Sequence, residues 1–317
     1  MMFLGAGLNS LPPATPVAGF LTSNSAAANA AALTAAINAA TPGTGLVFTE
    51  GHFNVGNVPI TKPLLFYGAG RTGTELENPA GELFTVDSVL GQGLGFMSLT
   101  LTSRGGHVIN NTVNGTLSGA WFFDVSGNAF ANGSSFIYSR GNLLDVSFST
   151  LWVENVAGAG PMYDISSIGG ANTNSWYRQR WTNLSSSPCV VITCPGSDNY
   201  NYDNNFRDIN AELAGYGIIH MTGAQNCLIE GVRGYDQSTY YGTLFDFAKS
   251  TPGVECTNIT LINSSRCAGN LASGVLDIDT HGGNRVVAIN CDPINGVLQS
   301  AGGLTQIGRG RVIPEFP

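Results

Sequence analysis

From Gly45 onward, apolar and polar residues alternate in short runs separated by Gly, Asn and Ser, the pattern of short strands joined by tight turns. One family of runs reads Leu83-Phe84-Thr85-Val86, Phe122-Phe123-Asp124-Val125, Met162-Tyr163-Asp164-Ile165 and Val190-Val191-Ile192-Thr193. It continues with Ile218-Ile219-His220-Met221, Leu244-Phe245-Asp246-Phe247, Val275-Leu276-Asp277-Ile278 and Val297-Leu298-Gln299-Ser300. A second family falls between them: Ser98-Leu99-Thr100-Leu101, Phe206-Arg207-Asp208-Ile209, Ile229-Glu230-Gly231-Val232, Ile259-Thr260-Leu261 and Val287-Ala288-Ile289. From Tyr163 on, the second residues of the first family are 28, 28, 26, 31 and 22 positions apart. Two strands per repeat and a period in the twenties predict a solenoid. The fold class expected is all-β, a right-handed parallel β-helix over residues 45–303.

Alternation also assigns faces. Tyr163 and Ile165, Phe245 and Phe247, and Leu276 and Ile278 point inward, with the residue between them outward. Gly and Asn mark the corners, where the chain turns sharply and positive φ is common. Asn recurs beside the second-family strands (Asn205, Asn210, Asn226, Asn258, Asn263, Asn284, Asn290), either as an inter-rung hydrogen-bonded ladder or as left-handed turn residues.

Ahead of the solenoid, residues 24–44 contain an Ala-rich segment. Asn24 or Ser25 serves as its N-cap, Ala28, Leu33, Ile37 and Ala40 lie near helical spacing, and TPGTG ends it. Too weak to stand alone, this helix is expected to shield the first rung. Residues 1–23 read as an N-terminal arm, and residues 304–317 as a tail departing from the rung pattern.

Composition narrows the classes. The chain has 317 residues, 42 of them Gly, only 11% charged, with a net charge of −8. Such a balance argues against nucleic-acid binding, which needs a basic patch. No apolar run reaches the length of a membrane span, so no membrane insertion is expected, and MMFLGAGLNSLPP lacks the basic stretch of a signal peptide. The six cysteines form no CxxC pair and read as reduced, buried small residues.

The run Gly45-Leu46-Val47-Phe48-Thr49-Glu50-Gly51-His52-Phe53-Asn54-Val55 after an Ala-rich helix, followed by an apolar strand and Gly68-Ala69-Gly70, resembles the pectate-lyase-like β-helix superfamily. Its nearest likeness is to the branch used by bacteriophage tail spikes, minor tail proteins and related polysaccharide-active enzymes. Where that family often has an Asp-Asp-Thr/Ser stretch before the helix, this chain has Ser23-Asn24-Ser25. The resemblance implies a homotrimer in the phage virion, attached to other tail proteins through its N-terminus, with lateral faces that touch host cell-surface polysaccharide.

Two groups of residues could carry chemistry. The outward column of the first family holds Asp124, Asp164, Ile192, His220, Asp246, Asp277 and Gln299. Rungs stack about 4.8 Å apart, which puts Asp246 and Asp277 side by side with His220 one rung earlier and Asp279 nearby. Carboxylates ~5–5.5 Å apart suit a retaining glycosidase and ~6.5–9.5 Å an inverting one. The plainer alternative is a solvated acidic face. The second group is aromatic: Trp176, Tyr177 and Arg178, Tyr200 and Tyr202, and Tyr240 and Tyr241 could stack and hydrogen-bond sugars, or else meet a neighbouring subunit. Trp181 is expected in the core, and His52 and His107 as structural histidines. Paired-Asp and Gly-His-Gly hydrolase motifs are missing, as is a pectate-lyase calcium site. No cofactor and no metal are expected. Two functions follow: a tail spike that binds surface glycan without cutting it, or a depolymerase on the same scaffold.

Overall fold

The structure is a computed structural model that describes residues 12–167, 170–193, 201–213, 217–236, 245–248, 254, 256–267, 276–278, 286–291 and 304–307. Every strand pairing among these is parallel and joins one coil to the next, so the chain is a parallel β-helix capped by one helix. One face is a nine-stranded sheet that begins at Val58–Pro59 and Phe84–Val86 and passes through Tyr163–Ser166, Val190–Thr193, Ile219–Thr222 and Phe245–Ala248 to Leu276–Ile278. The other face is a longer sheet of seventeen strands, and small sheets of three and two strands fill the corner between them.

From Gly95 onward, the described coils bend the long sheet at one residue. In the nine-residue strands Gly95–Ser103, Trp121–Ala129, Ser175–Asn183 and Asn205–Leu213, a central residue has positive φ: Ser98, Asp124, Arg178 and Asp208 at 50° to 54°. Register carries the column through Thr150, Gly231, Asn263 and Asn290. A second column of left-handed residues, Gly119, Asp145, Thr173, Asp203, Asn226 and Asn258, turns the preceding corner. Few side chains tolerate this conformation, and Asn and Asp do so best. The two readings of the corner asparagines therefore merge: Asn258 donates to Asn226 at 3.0 Å and Asn290 to Asn263 at 2.6 Å, all four being left-handed turn residues. A separate buried step inside the corner links Asn174 to Asn204 at 2.9 Å.

Each bend shifts the alternation by one. Phe122 points in, Phe123 out, Asp124 takes the corner and Val125 points in again. The inward residues just before the bend stack into an aromatic column: Phe66, Phe96, Phe122, Phe148, Trp176 and Phe206, with successive centroids 4.4–5.3 Å apart.

Helix Ala26–Ala39 packs over Gly51–Asn54 and Val58–Pro59, and its N-cap is Ser25, whose Oγ accepts from the Ala28 amide at 3.2 Å. Leu33 and Ile37 are buried as expected. Ala28 is exposed instead, and Asn29 takes its place inside, where it bonds both the N–H and the C=O of Leu21 and the C=O of Asn54. The segment read as an N-terminal arm contributes Ala14–Pro16 as a strand beside Gly45–Val47, and buries Val17 and Phe20. At the other end, Leu304–Ile307 continues the ladder beside Val286–Ile289, so the expected tail begins as one more rung.

Candidate functional site

On the nine-stranded sheet the outward column runs Thr85, Asn110, Tyr138, Asp164, Val191, His220 and Asp246, and register carries it on to Asp277. Two expected members are corrected. Asp124 belongs to the bend of the long sheet, where it binds Arg71 at 2.8 Å. Ile192 is buried, because register pairs Tyr163 with Val190 and so puts Val191 outside. A one-residue slip exchanges the faces.

Within this column Arg140 grips Asp164 with two nitrogens at 2.9 and 3.0 Å and lies over the Tyr138 ring. His107 stacks on the other side of that ring, centroids 3.9 Å apart, and its Nδ1 accepts from the Ser135 amide. Burial holds the His107 imidazole below its ordinary range. His107 is thus a structural histidine. Further along, His220 Nδ1 and Asp246 Oδ2 meet at 2.5 Å, both half-buried. Asp277 is the register partner of Asp246. The Asp277 side chain lies outside the described residues, as do Asp279 and Gln299. A His–Asp contact of this kind orients the imidazole and leaves Nε2 for proton transfer.

The aromatic group divides. Trp176 is fully buried in the stacked column and offers no platform to a sugar, which corrects that assignment. Trp181 is core, as expected. Tyr177 faces outward and carries the Arg178 guanidinium 4.9 Å from its centroid. Tyr202 lies on the small corner sheet beside Gln225. Tyr200, Tyr240 and Tyr241 lie outside the described residues.

Arg178 does open onto a recess. An open cleft of about 500 Å³ runs along the bend of the long sheet, lined by Arg71, Trp152, Arg178, Arg180, Asp208 and Asn210 over a floor of Leu151 and Gln179. Trp152 is 39% exposed and holds the Arg180 guanidinium 4.6 Å from its ring. Its neighbour one coil back is the small Ser126. Asp124 and Glu212 fix Arg71 and Arg180, the latter at 2.7 Å. From the floor inward, the buried Gln179 accepts from Tyr163 Oη at 2.8 Å and from Trp181 Nε1 at 2.6 Å, and donates to the Phe148 carbonyl. The cleft therefore offers an indole face, guanidinium donors and carboxylate and amide acceptors on a rigid support. Trp152 could have been found in the sequence, because inward Val153 and Leu151 bracket it.

Cys189, Cys227, Cys256 and Cys291 are buried, and burial pushes the Cys189 and Cys227 thiols up to about 12. Among the described residues, His52, Glu75 and Glu77 form a group that could hold a metal ion.

No family model matches the sequence, and no curated protein does. Solved structures are similar in fold. ORF18 of Geobacillus virus E2 superposes with a TM-score of 0.57 at 13% identity, over 92% of this chain and 60% of that one. The A-module of the mannuronan C-5 epimerase AlgE6 of Azotobacter vinelandii gives 0.47 at 15% identity, over 94% and 98% of the two chains. The catalytic unit of a thermostable GH87 α-1,3-glucanase from Streptomyces thermodiastaticus strain HF3-3 gives 0.40 at 11%, over 96% and 69%. The chain spans 60% of the phage protein's length, and what it shares with ORF18 is the β-solenoid fold.

Proposed function

We propose that the chain is a bacteriophage tail component, a spike or minor tail protein, that holds host cell-surface polysaccharide in the cleft at the long-sheet bend. The observation that carries this reading is Trp152, a large ring left 39% exposed between small Ser126 and the ion-paired Arg180. A sugar ring stacks its C–H face on such an indole, while Arg178, Asp208 and Asn210 hydrogen-bond its hydroxyls. The likeness of fold to a protein of Geobacillus virus E2 agrees with a virion role. A homotrimer is part of the proposal, as the resemblance to phage tail spikes implies. Attachment to other tail proteins is assigned to the N-terminal end. Nucleic acid is not a proposed partner at a net charge of −8, and among the described residues no helix is long and apolar enough to cross a membrane.

A depolymerase is the second reading, favoured by the His220–Asp246 contact and by the register of Asp246 with Asp277. Incubation with purified bacterial surface polysaccharides, followed both for retention and for new reducing ends or unsaturated sugars, separates the two. Retention without new ends is expected. New ends that vanish in His220→Ala and Asp246→Asn would instead establish the enzyme, and absence of retention on any polysaccharide would contradict both.

A further inference from the structure

At the helix-capped end, three coils bring together a group that the cleft and the His220 column do not use. His52 on Gly51–Asn54 is in register with Glu75 on Thr74–Asn78, and Glu77 is the next outward residue on that strand. One ligand atom from each lies within 4.8 Å of the other two. A third coil supplies the supports: Thr102 Oγ1 donates to Glu75 Oε1 at 2.7 Å, and Arg104 Nε donates to Glu77 Oε1 at 2.7 Å.

The second oxygen of Glu77 is the informative atom. The Glu77 side chain is only 7% exposed, yet its Oε2 is buried with no hydrogen-bond partner. A buried carboxylate oxygen without a donor is unfavourable. His52 Nε2 lies 3.6 Å from it, too far for a hydrogen bond. Two ligands bound tetrahedrally at about 2.0–2.1 Å from zinc would sit about 3.3 Å apart. The His52–Glu77 separation is close to that edge.

We infer that His52, Glu75 and Glu77 form a binding site for a divalent transition metal of the zinc class, which ties the first coil to the second beneath the capping helix. One imidazole with two carboxylates favours such an ion over calcium, which takes oxygen ligands alone. Thr102 and Arg104 each engage one carboxylate oxygen and leave the other for the ion, the arrangement by which outer partners orient metal ligands. His52 is 54% exposed, so the group is open to solvent on that side.

Thermal unfolding and titration calorimetry of the full chain, first stripped with EDTA, test this with ZnCl2 and, in parallel, CaCl2. Zinc is expected to bind one per chain and to raise the melting temperature by several degrees through preferential binding to the native state. His52→Ala, at an exposed position, should melt as wild type in EDTA and lose at least tenfold in zinc affinity, with Glu75→Gln losing a similar amount. The inference is overturned if zinc neither binds nor shifts melting at millimolar concentration, if His52→Ala binds zinc as tightly as wild type, or if calcium stabilises the chain and zinc does not.

Discussion

Trp152 and Trp176 lie on adjacent coils of the same sheet and face opposite ways, Trp152 partly exposed at the cleft and Trp176 fully buried between Phe148 and Phe206. The bend between them decides this. Trp176 precedes the left-handed residue Arg178, whereas Trp152 follows its equivalent, Thr150.

The two rings should therefore respond differently to truncation. Trp176→Ala opens a cavity in the aromatic column and is expected to cost about 3–5 kcal/mol of unfolding free energy. Trp152→Ala removes a half-exposed ring and one cation–π contact and should cost about 1 kcal/mol or less. Urea or thermal unfolding checks both. Equal costs would contradict the assignment of faces.

Gln179 is the hydrogen-bonding centre at the cleft floor. Gln179→Leu strands the Tyr163 hydroxyl and the Trp181 N–H inside the core, at about 1–3 kcal/mol for each group. Adding Tyr163→Phe removes one stranded group and should recover part of the loss. A double variant no more stable than Gln179→Leu alone would show that the hydroxyl is satisfied elsewhere.

His107 makes stability depend on pH. Burial lowers its pKa in the native state, so below the ordinary histidine value of about 6.5 the unfolded chain takes up a proton that the native chain resists. The contribution of neutral His107 is complete above that value and is lost as pH falls through it. Unfolding free energy should fall as pH drops below about 6.5 toward the lowered native-state value, and fall less in His107→Phe, which keeps the stack on Tyr138 but carries no titrating ring. An unchanged pH slope in the variant would exclude His107 as the source.

The stacked coils were legible because the nine-stranded sheet keeps strict alternation in Tyr163–Ile165 and Phe245–Phe247. The long sheet was harder to read. Phe122-Phe123-Asp124-Val125 looks the same as Met162-Tyr163-Asp164-Ile165, but its Asp occupies a left-handed bend rather than an outward strand position. Alternation read back from Trp181 puts Trp176 outside; one bend residue at Arg178 puts it inside. The cleft was half visible, through Arg178, but it is completed by Arg71, Trp152 and Asp208 from three other coils. Sequence proximity carries no information about such a meeting until register is known. The orphaned oxygen of Glu77 is likewise a product of three coils and has no sequence signal of its own.

The claim that the cleft holds surface glycan is tested most directly by binding of wild type and Trp152→Ala to an array of bacterial surface polysaccharides, with melting curves taken on the same samples. Wild type is expected to bind at least one polysaccharide, and Trp152→Ala to lose tenfold or more of that binding with nearly unchanged melting. Undiminished binding by Trp152→Ala, or no binding by wild type to any polysaccharide, would contradict it.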